Sequence, residues 1–203
     1  MIARTEIEGF GRVRQLGHVV ADIDEAMQEW VGQGVGPWMV MRRVHLNAVY
    51  KGQPSVPVID VALAYKGDVQ IELIRQHNTA PSPYLATIEQ GSYGLHHLAC
   101  LCDVIDADVD AALERGLQMV CDIHMMGSRY VYLFDAERDE YVELLPNSLM
   151  MRGMFAQGMR ATRRWNKASA IPKQIDIDMS NALSLITSLP RAGRGWFSQQ
   201  LGI

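Results

Sequence analysis

The sequence predicts an α+β protein made of two tandem βαβββ modules, forming a curved antiparallel half-barrel cleft, with a helical C-terminal extension. Three observations lead there. A strand–helix–three-strand pattern occurs twice along the chain. Each copy carries a histidine in its first strand and a glutamate in its last. The composition then changes after Pro146, where Met150, Met151, Met154 and Met159 lie beside Arg160, Arg163, Arg164, Trp165 and Lys167.

The first copy spans about residues 12–75. Arg12–Ala21 is apolar enough for a strand. Asp22 is a good N-cap, Asp24 and Glu25 suit the first turn of a helix, and Gly32, Gly34 and Gly36 stop it. Trp38–Leu46, Val56–Tyr65 and Val69–Arg75 read as strands. A polar turn at Lys51–Pro54 separates the first two, and a tight hairpin at Lys66-Gly67-Asp68 separates the last two. In the connection His77–Tyr93, Ser82 can cap and Pro83 can open a short helix that ends near Gly91.

The second copy spans about residues 94–146. Leu95–Cys102 is a strand, Asp103 or Asp106 caps a helix that Gly116 ends, and Leu117–His124, Arg129–Phe134 and Glu140–Leu145 are strands. An offset of roughly 80 residues is longer than solenoid periods and suits a duplicated module, with helices on the outer face of each curved sheet. Residues 1–146 therefore form the paired domain and 147–203 the extension, with helices expected at Ser148–Arg164 and Asn181–Leu189.

Bulk properties narrow the function classes. The chain has 203 residues, 48% of them hydrophobic, and a net charge of −4, so nothing global calls for nucleic acid. Residues 1–146 hold 11 basic and 21 acidic residues, and residues 147–203 hold 8 and 2. The basic tail is expected to meet the acidic body, a second subunit in a homodimer, or an anionic ligand. Three cysteines without disulfide-like spacing, no signal-like N-terminus and no membrane-length apolar run fit a cytoplasmic protein.

The candidate site comes from the repeat. Gly17-His18-Val19 and His96-His97-Leu98 lie on first strands; Ile71-Glu72-Leu73 and Val142-Glu143-Leu144 lie on last strands. Glutamate is a poor strand residue, and burying its charge is costly without a partner. If first and last strands lie side by side, His18, Glu72, His97 and Glu143 share one face. Two imidazoles and two carboxylates suit a divalent transition metal such as Co, Ni, Zn, Mn or Fe. His96, the neighbour of His97, is expected on the opposite face as a structural residue.

Over about residues 12–146 these motifs resemble the vicinal oxygen chelate superfamily, whose members include glyoxalase I, methylmalonyl-CoA epimerases, extradiol dioxygenases and bleomycin-resistance proteins. Gly36-Pro37-Trp38, and Ser82-Pro83 leading to Gly94-Leu95-His96-His97, are most similar to the epimerases. The resemblance implies a metal-dependent isomerase or epimerase that takes a proton from the carbon next to a carbonyl, by way of a metal-stabilised enolate. Glu143 would be both ligand and base, and the small-molecule substrate could be a CoA thioester. Arg75, Arg129 and the tail arginines could hold its phosphates. The acid that epimerases carry before the third strand of the first module is missing from Gly52–Val58, and Asp60 is the nearest carboxylate. The alternatives are a glyoxalase I-like lyase on a 2-oxoaldehyde thiol adduct, a non-catalytic antibiotic-binding protein, and an extradiol ring-cleavage dioxygenase.

Overall fold

The computed structural model describes residues 5–125 and 127–165, and the backbone of 175–178. The expected helix at Asn181–Leu189 lies outside the described residues. A small ribbon of β1 (Glu6–Ile7) and β2 (Gly11–Arg12) precedes the first module. That module contains β3 (Gln15–Val19), α1 (Ile23–Gly32), β4 (Met39–His45), β5 (Asn47–Tyr50), β6 (Gln53–Ser55), β7 (Val58–Lys66) and β8 (Val69–Gln76). After α2 (Pro83–Glu89) come β9 (Gly94–Cys102), α3 (Ile105–Glu114), β10 (Gln118–Met125), β11 (Ser128–Asp135) and β12 (Glu140–Pro146). The chain continues in α4 (Leu149–Arg164) and β13 (Ile175–Asp178).

Local chemistry accounts for most element ends. The Asp22 carboxylate accepts from the Asp24 and Glu25 N–H groups at 3.0 Å, and Ser82 and Ser148 cap α2 and α4 in the same way. The cap expected of Asp103 or Asp106 does not form; Val104 holds the N-cap position of α3 with no side-chain bond. The Asp103 carboxylate instead accepts from Asn147 Nδ2 at 2.7 Å.

One 11-stranded sheet runs in the order β13-β4-β7-β8-β3-β9-β12-β11-β10-β5-β6. It is mixed rather than wholly antiparallel, because β3 pairs with β8, and β9 with β12, in parallel. A helix crossover returns the chain so that the next strand runs in the sense of the first. Two antiparallel steps then restore that sense in the last strand. The two modules meet along the antiparallel β3–β9 seam.

The polar turn expected at Lys51–Pro54 is the bend of a β5–β6 hairpin whose strands reach beyond it on both sides. Its strand β5 pairs with β10 of the other module, Ala48 opposite Ile123 and Tyr50 opposite Cys121. Because β4 and β5 are consecutive in the chain yet near opposite ends of the sheet, this hairpin bridges the open side of the half-barrel.

Alternation sorts the side chains into two cores. Leu16, Ile71, Leu98 and Leu144 pack outward under α1 and α3, whose Met27 and Val109 join them. Val19, Val61, Ile74, Ala99, Tyr132 and Leu145 point inward. Helix α4 packs on that inner group through Met151 and Phe155. Its seat is Tyr65: the ring meets Phe155 edge-on at 5.5 Å, and a Cβ on Gly158 would lie only 1.9 Å from Tyr65 Cε2. Among the described residues no helix is long and apolar enough to cross a membrane.

Candidate metal centre

Glu72 on β8, His97 on β9 and Glu143 on β12 converge inside the half-barrel. His97 Nε2 lies 3.1 Å from Glu143 Oε2 and 3.3 Å from Glu72 Oε2, and one ligand atom from each residue falls within 4.8 Å of the others. These contacts have ion-pair distance but not hydrogen-bond direction, so all three atoms are buried without a directed partner. Buried polar atoms are almost always paired, which makes three orphans facing one another a strong sign of a ligand.

His18 does not join them. It follows inward-facing Gly17 and lies on the helix side of β3, edge-on to Trp30 of α1 at 5.2 Å. Burial lowers its pKa, with repulsion from His97 adding to the effect. The expected four-ligand set is therefore corrected at this position.

The inner-face residue that matches His97 is Gln15. In the parallel ladders Gln15 is opposite Gln70 and Gly17 opposite Glu72, just as His97 is opposite Tyr141 and Ala99 opposite Glu143. Across the seam Gln15 faces Ala99 and Gly17 faces His97. Exchanging the modules thus maps Gln15 onto His97 and Glu72 onto Glu143. Gln15 Nε2 donates to Gln70 Oε1 at 2.9 Å, whose own amide donates to the Tyr65 hydroxyl at 2.6 Å. That arrangement leaves buried Gln15 Oε1 without a partner, on a side chain whose amide also reaches Glu72.

The sequence carried only half a signal for Gln15. It lies seven residues before the helix cap Asp22, as His97 lies seven before Val104, but the sequence offered Asp103 or Asp106 as the second cap, so the match emerges only from the structure.

Gly17 leaves room for this site. A Cβ there would lie 1.8 Å from His97 Cε1, so the imidazole occupies the space above the glycine. A bulge sets its neighbour. The β3–β9 ladder passes from Gly17–His97 to His18–Leu95, leaving His96 as the extra residue. His96 is therefore not on the opposite face as a separate structural residue. Its Nδ1 is 3.0 Å from His97 Nδ1, and its ring stacks on Tyr141 at 4.8 Å.

The electrostatics follow from burial and proximity. Burial opposes charge on His97, but the facing Glu143 and Glu72 outweigh it and hold its pKa at about 9. Burial raises that of Glu72, and the Glu143 charge adds to it, while His97 and the Gln15 amide work the other way. Burial, then His97, pushes His96 down to about 3. Neutral His96 can accept the Nδ1–H of His97 and so hold that ring with Nε2 toward the carboxylates. Asp60 is no substitute base. It lies on the outer face, accepts from Arg43 N–H at 2.8 Å and sits 2.9 Å from His77 Nε2. Arg129 is likewise turned to Asp122 and Asp106.

Three of these residues, Gln15, Glu72 and Glu143, border a chamber of about 90 Å³, walled by β-strand side chains and Tyr84 and closed by Met151 and Met154 of α4, while His97 lies behind Glu72 and Glu143 rather than on the chamber wall. The chemistry of the four donors fits a divalent cation: one imidazole nitrogen, two carboxylates and one amide oxygen, all buried and unpaired.

The chain belongs to the glyoxalase/bleomycin resistance protein/dioxygenase superfamily, whose sequence model matches residues 14–132. A hypothetical protein of Bacillus halodurans C-125 shares the fold, with TM-score 0.50 and 19% identity over 68% of this chain and 94% of that one. The methylmalonyl-CoA epimerase of Mycobacterium tuberculosis aligns with TM-score 0.46 and 21% identity, covering 75% of this chain and 97% of its own. The uncharacterized protein YqjC of Bacillus subtilis (strain 168) is 34% identical over 62 residues, 30% of this chain and 44% of that protein. This chain thus spans less than half the length of that relative.

Proposed function

We propose that this protein is a metal-dependent isomerase or epimerase that removes a proton from the carbon next to a carbonyl. The convergence of Glu72, His97 and Glu143, with Gln15 completing the orphaned donors, carries this reading. These four residues would hold the cation. Bound there, a divalent ion supplies Lewis acidity to the oxygens of the substrate, lowering the cost of charge that develops when the proton leaves.

The chain's own residues supply the rest. Glu143 serves as the base, since it reaches the chamber and no other acid except Glu72 lines it among the described residues. Return of the proton to the same carbon gives epimerisation, and return to the neighbouring carbon gives a glyoxalase-type isomerisation. Apolar walls and α4 keep water from the carbanion-like state. An acyl-CoA substrate fits this chemistry if only its acyl end enters the chamber.

The test joins metal analysis to exchange. Purified protein supplied with Co, Ni, Mn or Zn should bind one divalent ion per chain. The loaded protein should then wash deuterium into the α-carbon of carbonyl substrates. Glu143→Gln should lower that exchange on the order of 10²–10⁴-fold while the fold persists. Failure to bind any of these ions refutes the proposal.

A further inference from the structure

The chamber wall bears on which substrates can enter. Its polar groups are the amides of Gln15 and Gln70, the hydroxyls of Tyr84, Tyr130 and Tyr132, and the carboxylates of Glu72 and Glu143. Among the described residues that line it there is no lysine, arginine or histidine. The rest of the wall is hydrocarbon or thioether, including Val61, Leu63, Ile123 and Leu145.

The cations nearest in the fold are turned elsewhere. Arg14 lies over the Phe155 ring at 5.3 Å and, with Arg12 and Arg152, lines a separate groove outside α4. Arg42 is tied to Asp24 and Asp60 on the outer face.

We infer that the site selects a substrate whose enclosed end joins its oxygen pair to a small uncharged hydrocarbon body, and excludes one that brings a second carboxylate into the chamber. This deepens the metal-dependent reading above and rests on it. The oxygen pair belongs at the donors, and the hydrocarbon faces the walls and the methionines of α4. A second carboxylate would be buried with no cation to meet it and with Glu72 and Glu143 nearby, which is a costly placement.

Size points the same way. The chamber holds about 90 Å³, below the ~300–1,000 Å³ of drug-sized pockets and the ~150 Å³ of a cavity that admits benzene. Half-buried Met41, Met125 and Met154 lie in its wall. Flexible thioethers can yield as a small apolar group enters.

Two nearly isosteric chelators read the selectivity. Pentanohydroxamic acid and the monohydroxamic acid of succinic acid differ in a terminal ethyl group against a carboxylate. They are titrated into Co(II)-loaded protein and followed by the visible spectrum of the ion. In parallel, pentanamide and succinamic acid are titrated into metal-free protein carrying 13C-methyl methionine, with the methyl shifts as readout. The uncharged member of each pair should bind roughly tenfold tighter or more. The shifted methyls should be those of Met41, Met125, Met151 and Met154, while exposed Met119 stays unmoved.

Met154→Arg places a cation in the wall and should reverse the preference. Equal or tighter binding of the carboxylate compounds to the unaltered chain overturns the inference while leaving the metal reading intact. A protein that takes up no Co(II) overturns the metal reading, and the amide titration then still decides the selectivity of the chamber.

Discussion

Gly17→Ala is the substitution that most directly tests the placement of His97. No unusual backbone angle requires this glycine; the space is what matters. The new Cβ would stand 1.8 Å from His97 Cε1, 2.3 Å from Nε2 and 2.4 Å from Nδ1. Carbon contacts settle near ~3.5 Å, so against the present 1.8 Å the ring or strand must retreat by roughly 1.7 Å. The ring cannot withdraw freely. Its Nδ1 is held 3.0 Å from His96, and Tyr132 meets it edge-on at 5.1 Å. Overpacking of this kind costs about 1–3 kcal/mol.

The same displacement removes Nε2 from its position 3.1 Å from Glu143 and 3.3 Å from Glu72. Metal affinity should therefore fall on the order of 10–100-fold, as it does when the supports of a ligand are lost. Urea unfolding reads the first effect, and calorimetric titration with Zn(II) or Co(II) reads the second. A variant with unchanged stability and unchanged affinity would refute the stacking of His97 on Gly17.

Other outcomes follow from particular contacts. Gln15→Ala should weaken metal binding on the order of 10–100-fold, whereas His18→Ala should leave it unchanged and lose only packing against Trp30; metal titration of both variants separates the two assignments. Gly158→Ala raises helix propensity, yet its Cβ would meet Tyr65 at 1.9 Å, so a net loss of about 1–3 kcal/mol is expected; a stabilised variant in urea would contradict the seat of α4. Asp60→Asn should cost about 1–3 kcal/mol through loss of its charged contacts with the Arg43 N–H on β4 and with His77 after β8. Burial favours the neutral form of Asp60, but the Arg43 N–H, then His77 and Arg42, outweigh it and lower its pKa. The stability it contributes is present above the unfolded value near ~3.9 and is lost as pH falls through the lower folded value. Acid unfolding curves of the native chain should therefore be steeper below that pH than those of the Asn variant.

The repeat of strand and helix signals was legible because each module is locally consistent. Asp22, Ser82-Pro83 and Ser148 act within a few residues of themselves, and Lys66-Gly67-Asp68 needs only its flanking strands. Glu72, His97 and Glu143 were legible too, since charge in an apolar strand demands a partner.

What the tertiary structure alone decided is register. His18 stands in the first strand as His97 does, but side chains alternate, so a match between like residues says nothing about the face each occupies. The ladder through Gly17–Glu72 and Gly17–His97 puts Gln15 inside and His18 outside. The bulge that brings His96 against His97, the β5–β10 bridge and the closure by α4 likewise depend on pairing between segments far apart in the chain. Such pairing arises from the packed sheet as a whole, which no local window of sequence contains.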